Sequence, residues 1–381
     1  MRIAIVHEWL DTWAGSEAVL ALLLELFPKA DLYTVVDFLA EEDRKRFAGR
    51  HIRTSFIQKI PLARSHFRKF FFLMPLAVER FDLSEYELVI SNSHAVAKGV
   101  RTGPDQLHIC ICYSPARYAW DSRQTYLATA GLTRGPLFWL ANLALERFRI
   151  WDFQAASRVD RFVAISKYIA ERIERCYRRT AEVIYPPVDI ARYAHQKTSL
   201  PRSSFYLTVS RLVPYKRIDL IVQAFATLPD RELIVVGEGP EMARIAALAG
   251  ANVRLAGRLS DDERDKLLAS ARAFIFAAEE DFGIAPVEAQ ACGTPVIALS
   301  RGGAIETIRG LNETEPTGVF FGEQTVASIV SAVKTFEQSA HRITSAACRS
   351  NARRFAADVF RRRFADLVKA ALAEFRARRV A

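Results

Sequence analysis

The chain has 381 residues, half of them hydrophobic and a quarter charged, with a formal net charge of +10. That length suits two or three domains with sizeable cores, and no run approaches the ~18 uncharged apolar residues of a membrane-spanning helix. The positive charge is local: residues 44–72 carry nine Lys/Arg and no acid, residues 342–381 carry eleven against three acids, and the remainder is net −7. This argues for an attachment surface and against general nucleic-acid affinity.

Five cysteines, with no second pair at zinc-ligand spacing, read as buried small hydrophobes in a reducing cytoplasm. The chain starts directly on an apolar strand over 3–6, with no basic region or cleavage site before it, so export is not expected. Short apolar runs then alternate with helical patterns, the sign of βαβ units and parallel sheets.

Trp13-Ala14-Gly15-Ser16-Glu17 follows the first strand and opens a helix over 15–27. Backbone N–H groups at a helix start attract phosphate or a developing oxyanion. After a strand at 32–36, the run 44–72 interleaves its nine basic residues with six phenylalanines. Cationic and aromatic residues together suit an anionic membrane surface; a mixed core segment with a solvated basic face is the plainer reading. Strand 87–91 leads into a loop carrying His94, and strand 108–112 into Tyr113-Ser114-Pro115-Ala116-Arg117-Tyr118-Ala119-Trp120-Asp121. Aromatic faces beside an Arg and an Asp can grip a sugar; a packed loop with an internal ion pair is the alternative. A helix over 136–155 and a strand over 161–165 complete this half. Tyr185-Pro186-Pro187-Val188-Asp189, followed by a polar stretch over 196–204, reads as a hinge.

The second half repeats the alternation, with strands at 205–209, 232–236, 252–256, 273–278 and 294–298 and helices at 218–228, 239–248 and 261–270. Arg211 and Lys216 follow the first of these strands, where two fixed cations can clamp a diphosphate. Val236-Gly237-Glu238-Gly239 is a Gly-rich turn without the full dinucleotide fingerprint, and Gly257-Arg258-Leu259 follows the next strand. After the strand at 273–278, Glu280 and Glu288 stand with seven residues between them, Phe282-Gly283-Ile284-Ala285 among these, and a helix is expected from Pro286. Ionised carboxylates only accept hydrogen bonds, and sugar hydroxyls donate them.

This block resembles the signature of retaining glycosyltransferases of family 4. The resemblance covers most of the chain and is densest over 204–307. It implies an α/β GT-B architecture, two Rossmann-like doubly wound domains facing a central cleft, with domains at 1–188 and 189–360 and a C-terminal helix, 361–381, crossing back. It implies that Arg211 and Lys216 hold the pyrophosphate of a nucleotide diphosphate sugar and Glu288 the ribose. Glu280 and the amides of Phe282, Gly283, Ile284 and Ala285 position the sugar. Gly237 lies near the nucleotide, Arg258 and Leu259 line the base, and His94 and Gly15 approach the donor from the first domain. The family usually has two adjacent glycines where this chain has Ala14 and Gly15. Residues 113–121 resemble a subgroup linked to bacterial surface polysaccharides and mannosyl transfer, giving an acceptor-side set of Tyr113, Arg117, Tyr118, Trp120 and Asp121. The implied reaction moves a hexose, with mannose from GDP-mannose the first choice, to a polyprenyl-diphosphate-linked glycan at the inner membrane face. No Asp-x-Asp motif appears, so no metal and no other cofactor is expected. A nucleotide-sugar epimerase and a non-catalytic sugar-nucleotide sensor are rival readings on the same fold.

Overall fold

The computed structural model describes residues 1–47, 50–121, 123–129, 131–193 and 203–380. Most of the polar stretch 196–204 therefore lies outside the described residues. The chain divides into two compact units, Met1–Pro186 with Phe360–Ala381, and Pro187–Val359.

The first unit is built on a parallel sheet of β1 (Ile3–His7), β2 (Asp31–Thr34), β3 (Ile52–Thr54), β4 (Leu88–Ser93), β5 (Leu107–Cys112), β6 (Arg161–Ala164) and β7 (Ala181–Val183), in the order β3-β2-β1-β4-β5-β6-β7. β4 and β5 are buried along their whole length, because helices cover both faces of a parallel sheet. Helix Gly15–Leu26 buries Val19, Leu20, Leu23 and Leu24, one apolar stripe at helical spacing. Burying each such side chain contributes about 1.5–3 kcal/mol. The C-terminal helix Ala357–Val380 buries Phe360, Phe364, Leu367, Val368 and Ala371 on one face. Phe364 meets Phe27 edge-on, and Arg361 pairs with Glu25 at 2.6 Å.

The second unit is a parallel sheet of β8 (Tyr206–Val209), β9 (Leu233–Val236), β10 (Val253–Gly257), β11 (Ala273–Phe276), β12 (Val296–Leu299) and β13 (Gly318–Phe321), in the order β10-β9-β8-β11-β12-β13. Each sheet thus reverses its winding once, between β1 and β4 and between β8 and β11. Crossovers leave on opposite faces at such a reversal and open a crevice at the carboxyl ends of the flanking strands.

The basic–aromatic run is not one element. Its described residues form β3, three 3₁₀ turns, Lys45–Phe47, Phe56–Lys59 and Phe67–Leu73, and the short helix Ala63–His66. Phe47 and Phe67 are buried, and Phe56, Phe70 and Phe71 pack against the core. Only Phe72 of the six is exposed. Arg44 pairs with Asp37, Arg68 pairs with Asp11, and Arg46 lies over the Trp13 ring. Five of the six phenylalanines therefore serve the core, and several of the cations have internal partners.

Candidate functional site

In the second unit the expected donor residues gather at the carboxyl ends of the strands on both sides of the reversal. The Arg211 loop leaves β8 and is fastened to the turn after β9 by main-chain bonds, Ser210 N–H to Val236 O at 3.0 Å and Leu212 N–H to Glu238 O at 2.9 Å, and that turn is itself held by Gly237 N–H to Gly257 O at 2.8 Å. Gly237 has φ +133°, and a Cβ there would run into Ser210 O, so this turn serves close backbone packing. Arg211 is exposed on the loop. A 3₁₀ turn, Pro214–Lys216, follows and ends on Arg217 in the left-handed region at φ 55°. A non-glycine residue held there costs of order 1–3 kcal/mol and is most often found where structure fixes a functional loop.

That turn sets the Lys216 ammonium against the Glu280 carboxylate, which arrives from the loop after β11. Both side chains are about four-fifths buried, at 19% and 20% exposure. Burial lowers the Lys216 pKa to about 8, and the facing carboxylate favours the charged form. The ion pair thus bridges the two loops that flank the reversal.

The Glu280 loop is held from β12. Gly303 N–H donates to Glu280 O at 2.8 Å, and a Cβ on Gly303 would run into the Phe282 backbone. Phe282 is buried and meets Phe355 edge-on at 5.4 Å. Gly283 (φ 85°) then caps helix Ile284–Ala291, which starts two residues before the expected Pro286. Proline is tolerated in that first turn because its missing N–H would have no intrahelical acceptor. The half-buried Ile284 and Ala285 present the first helical amides. Glu288, one turn on, lies near Tyr193 and Arg264; burial pushes its carboxyl up, while Arg264 and the Tyr193 hydrogen bond oppose that rise. On the loop after β10, Arg258 is exposed and Leu259 half-buried. Gly303→Ala is expected to lower the thermal midpoint and weaken donor binding together, at a cost of about 1–3 kcal/mol for overpacking; calorimetry and ligand titration of one sample check both.

In the first unit, Gly15 and His94 lie just past the carboxyl ends of β1 and β4, the strands flanking its reversal. Ala14, which stands where the family has glycine, is the helix N-cap at φ −145°. This is ordinary extended backbone, so the position requires no glycine. Beneath Gly15 runs a buried chain of polar groups. Tyr113 OH donates to Asn92 Oδ1 (2.8 Å), and Asn92 Nδ2 donates to Ser16 O and to His7 Nδ1 (both 3.0 Å). With Nδ1 accepting, His7 Nε2 carries the hydrogen that Glu17 accepts at 3.1 Å. Glu17 in turn accepts from Ala14 N–H at 2.9 Å, closing on the helix start.

The His94 loop is wrapped around Glu8, a fully buried carboxylate. Its Oε1 accepts from Ser93 Oγ (2.8 Å) and the N–H groups of His94 (3.0 Å), Ala95 (2.7 Å) and Ala97 (3.0 Å); its Oε2 accepts from Val96 N–H (2.9 Å). Burial pushes the Glu8 carboxyl up, but His94 and these donors outweigh it and hold the pKa below the ordinary value. The half-buried His94 ring stands edge-on to Trp9 at 4.5 Å. Burial lowers its pKa against the opposing pull of Glu8, leaving a neutral imidazole at pH 7.

The acceptor-side set is turned largely inward. Trp120 Nε1 (2.8 Å) and Tyr177 OH (2.7 Å) donate to Asp152 Oδ2, while Asp152 Oδ1 pairs with the buried Lys98. Tyr118 packs among Phe71, Tyr126 and Phe148. Asp121 pairs with Arg172 at 2.7 Å, Tyr113 is bound to Asn92, and Arg117 is half-buried. Tyr118 and Trp120 are packed as in the packed-loop alternative, while the exposed Asp121 finds its partner, Arg172, outside the loop.

The sequence reading missed Glu8, Tyr193, Arg264 and Gly303, and quoted Glu17 only as part of the motif that opens the first helix. For Gly303 a signal was present: the pair Gly302-Gly303 directly follows a strand, like the other loops of this site.

Against this geometry, the family described as glycosyl transferases group 1 matches residues 191–355, the second unit almost end to end. A GDP-mannose-dependent monoacylated alpha-(1-6)-phosphatidylinositol monomannoside mannosyltransferase of Corynebacterium glutamicum is 33% identical over 180 residues, 40% of this chain and 47% of that protein. The match therefore spans about half the relative's length. Two solved structures match nearly throughout at 18% identity. They are sucrose-phosphate synthase from Thermosynechococcus elongatus (TM-score 0.73, covering 98% of this chain and 100% of that one) and Anabaena Alr3699/HepE in complex with UDP (0.68, 97% and 100%). The fold is GT-B, with two Rossmann-like α/β domains.

Proposed function

We propose that this chain is a retaining hexosyltransferase that takes a sugar from a nucleotide diphosphate sugar without a metal and passes it to a lipid-linked glycan at the cytoplasmic face of the inner membrane. The observation that carries the reading is the Lys216–Glu280 pair across the β8/β11 reversal, beside the first amides of helix Ile284–Ala291. An incoming diphosphate competes with Glu280 for the ammonium, and Lys216 with Arg211 stabilises the charge that builds on the leaving group. The released Glu280 carboxylate accepts from the sugar hydroxyls, and Glu288 accepts from the ribose. The bond from the anomeric carbon to the diphosphate oxygen breaks as a bond to the acceptor oxygen forms on the same face. The acceptor proton passes to the departing phosphate. His94, neutral at pH 7, is the first unit's sugar-side group in this reading.

The match to a group 1 domain and the GDP-mannose named for the Corynebacterium relative support the transferase class and the first-choice donor; the UDP of the Anabaena complex supports testing uridine donors beside it. Thermal shifts in EDTA with GDP-mannose, UDP-glucose, UDP-N-acetylglucosamine, ADP-glucose and NAD test the site. Ligand at ~100 times its dissociation constant adds about 2.7 kcal/mol, a midpoint rise of a few degrees, roughly. A rise with one sugar nucleotide is expected. No rise, or a rise with NAD alone, overturns the reading. Product analysis with and without lipid acceptor then separates transfer from epimerisation and from binding without turnover.

A further inference from the structure

Helix Pro136–Ser157 of the first unit is apolar on the wrong side as well as the right one. Its inward face buries Leu145, Phe148 and Ala155. Its outward face carries Trp139, Leu143 and Ile150, exposed at 72%, 53% and 52%. Their spacing of four and seven residues puts all three on one stripe of an α-helix. A helix lying on the surface of a water-soluble domain normally places polar residues there, and a concentration of large exposed hydrophobics marks an interaction site.

We propose that the first half of this helix inserts into the headgroup region of an anionic phospholipid bilayer. The first turn decides between a bilayer and a flat protein partner. Leu137 lies on nearly the opposite side of the helix from Trp139, yet it is 68% exposed, and Leu140 between them is 62% exposed. The first turn therefore projects beyond the surface of the unit. A flat partner covers one side of such a projection, whereas a bilayer interface surrounds it. Tryptophan at the tip suits the boundary between headgroups and acyl chains. The charge fits an anionic surface as well. Residues 122–151 contain four arginines and a single acid, Glu146, and Glu146 is paired with Arg123 at 2.7 Å. Arg134, Arg147 and Arg149 are exposed around the apolar stripe. Among the described residues no helix is long and apolar enough to cross a membrane, so the contact is interfacial. This places the lipid contact on this helix and away from residues 44–72, whose phenylalanines face the core except for Phe72. It goes beyond the transferase reading and does not depend on it.

The test is co-sedimentation of the full chain with vesicles of phosphatidylcholine alone and of phosphatidylcholine mixed with phosphatidylglycerol. Wild type is expected on the mixed vesicles and weakly on the neutral ones. The double substitution Trp139→Glu with Leu143→Glu is expected to weaken binding about tenfold or more, while Arg64→Glu with Lys69→Glu has a smaller effect. All proteins should keep the wild-type thermal midpoint and sugar-nucleotide shift, which shows that they are folded. As a second measurement, brominated phosphatidylcholine should quench wild-type tryptophan fluorescence, and Trp139→Phe should lose that quenching. Wild type left in solution overturns the proposal, as does undiminished binding of the double variant. So does a dimer by light scattering that the double variant dissolves without any vesicle binding, which would assign the face to a second copy. Vesicle binding without any sugar-nucleotide shift would leave this inference standing and remove the transferase reading.

Discussion

Lys216→Ala is expected to lower transfer by about 10³-fold or more while the protein stays folded, since removing one donor that meets developing charge costs on the order of 10²–10³ and this one carries a full charge. The thermal midpoint should move little, because the pair Lys216 forms is not fully sealed from water and neither side chain belongs to the second unit's hydrophobic core. The pH profile gives a second handle. With the Lys216 pKa lowered to about 8 by burial, the ammonium is present below that pH and lost above it. kcat/KM, which reports the free enzyme, should therefore fall as pH rises through about 8. Bound diphosphate holds the ammonium charged, so kcat should fall at higher pH. Lys216→Arg keeps a charge that does not titrate in this range and should lose the alkaline fall even if its rate is reduced. Wild-type turnover in Lys216→Ala would remove Lys216 from the proposed site. An unchanged alkaline limb in Lys216→Arg would assign that limb to another group.

The strands that the sequence made legible are the interior ones and one edge strand, β10. β1, β4, β5, β8, β9, β11 and β12 are built on apolar runs because helices bury both faces of the sheet, although β4 ends on Ser91-Asn92-Ser93. β3 and β7 were invisible because they are three-residue edge strands whose central residues, Arg53 and Glu182, are exposed. β13 escaped for another reason: it is a four-residue strand that begins on Gly318, so only Val319-Phe320-Phe321 mark it as apolar behind a polar loop. The donor loops were legible because charged and glycine residues at the ends of apolar strands stand out locally. Glu8 was not, since all five of its donors lie 85 to 89 residues away, and a lone Glu after a strand carries no mark of them. The outward face of helix Pro136–Ser157 was hidden by its own composition. When both faces are apolar, the helical period that separates inside from outside is flattened.

Glu8→Ala should destabilise the first unit by about 3–5 kcal/mol, the range for removing one partner of a buried charge network. Its methyl group would leave the amides of residues 94–97 without their acceptor, each buried and costly to strand. For a unit of this size the midpoint should fall by on the order of 10 °C. Glu8→Gln separates charge from shape. Its amide oxygen can still accept, but its NH₂ group would face an N–H donor, so an intermediate loss is expected. The sign of the pH dependence follows from the shift. The folded-state pKa of Glu8 lies below its ordinary value, so its contribution is full above the unfolded pKa of about 4.3. It is lost as pH falls through the folded pKa. Wild type and Glu8→Gln should therefore differ most near neutrality and converge in acid. A constant difference across that range would mean that the Gln variant loses packing and not a carboxylate. The Lys216–Glu280 site belongs to the second unit, so a sugar-nucleotide shift measured well below the new midpoint should survive in Glu8→Ala. If the shift vanished while the second unit remained folded, the donor site would need the His94 loop in place, and Glu8 would act on the sugar through His94.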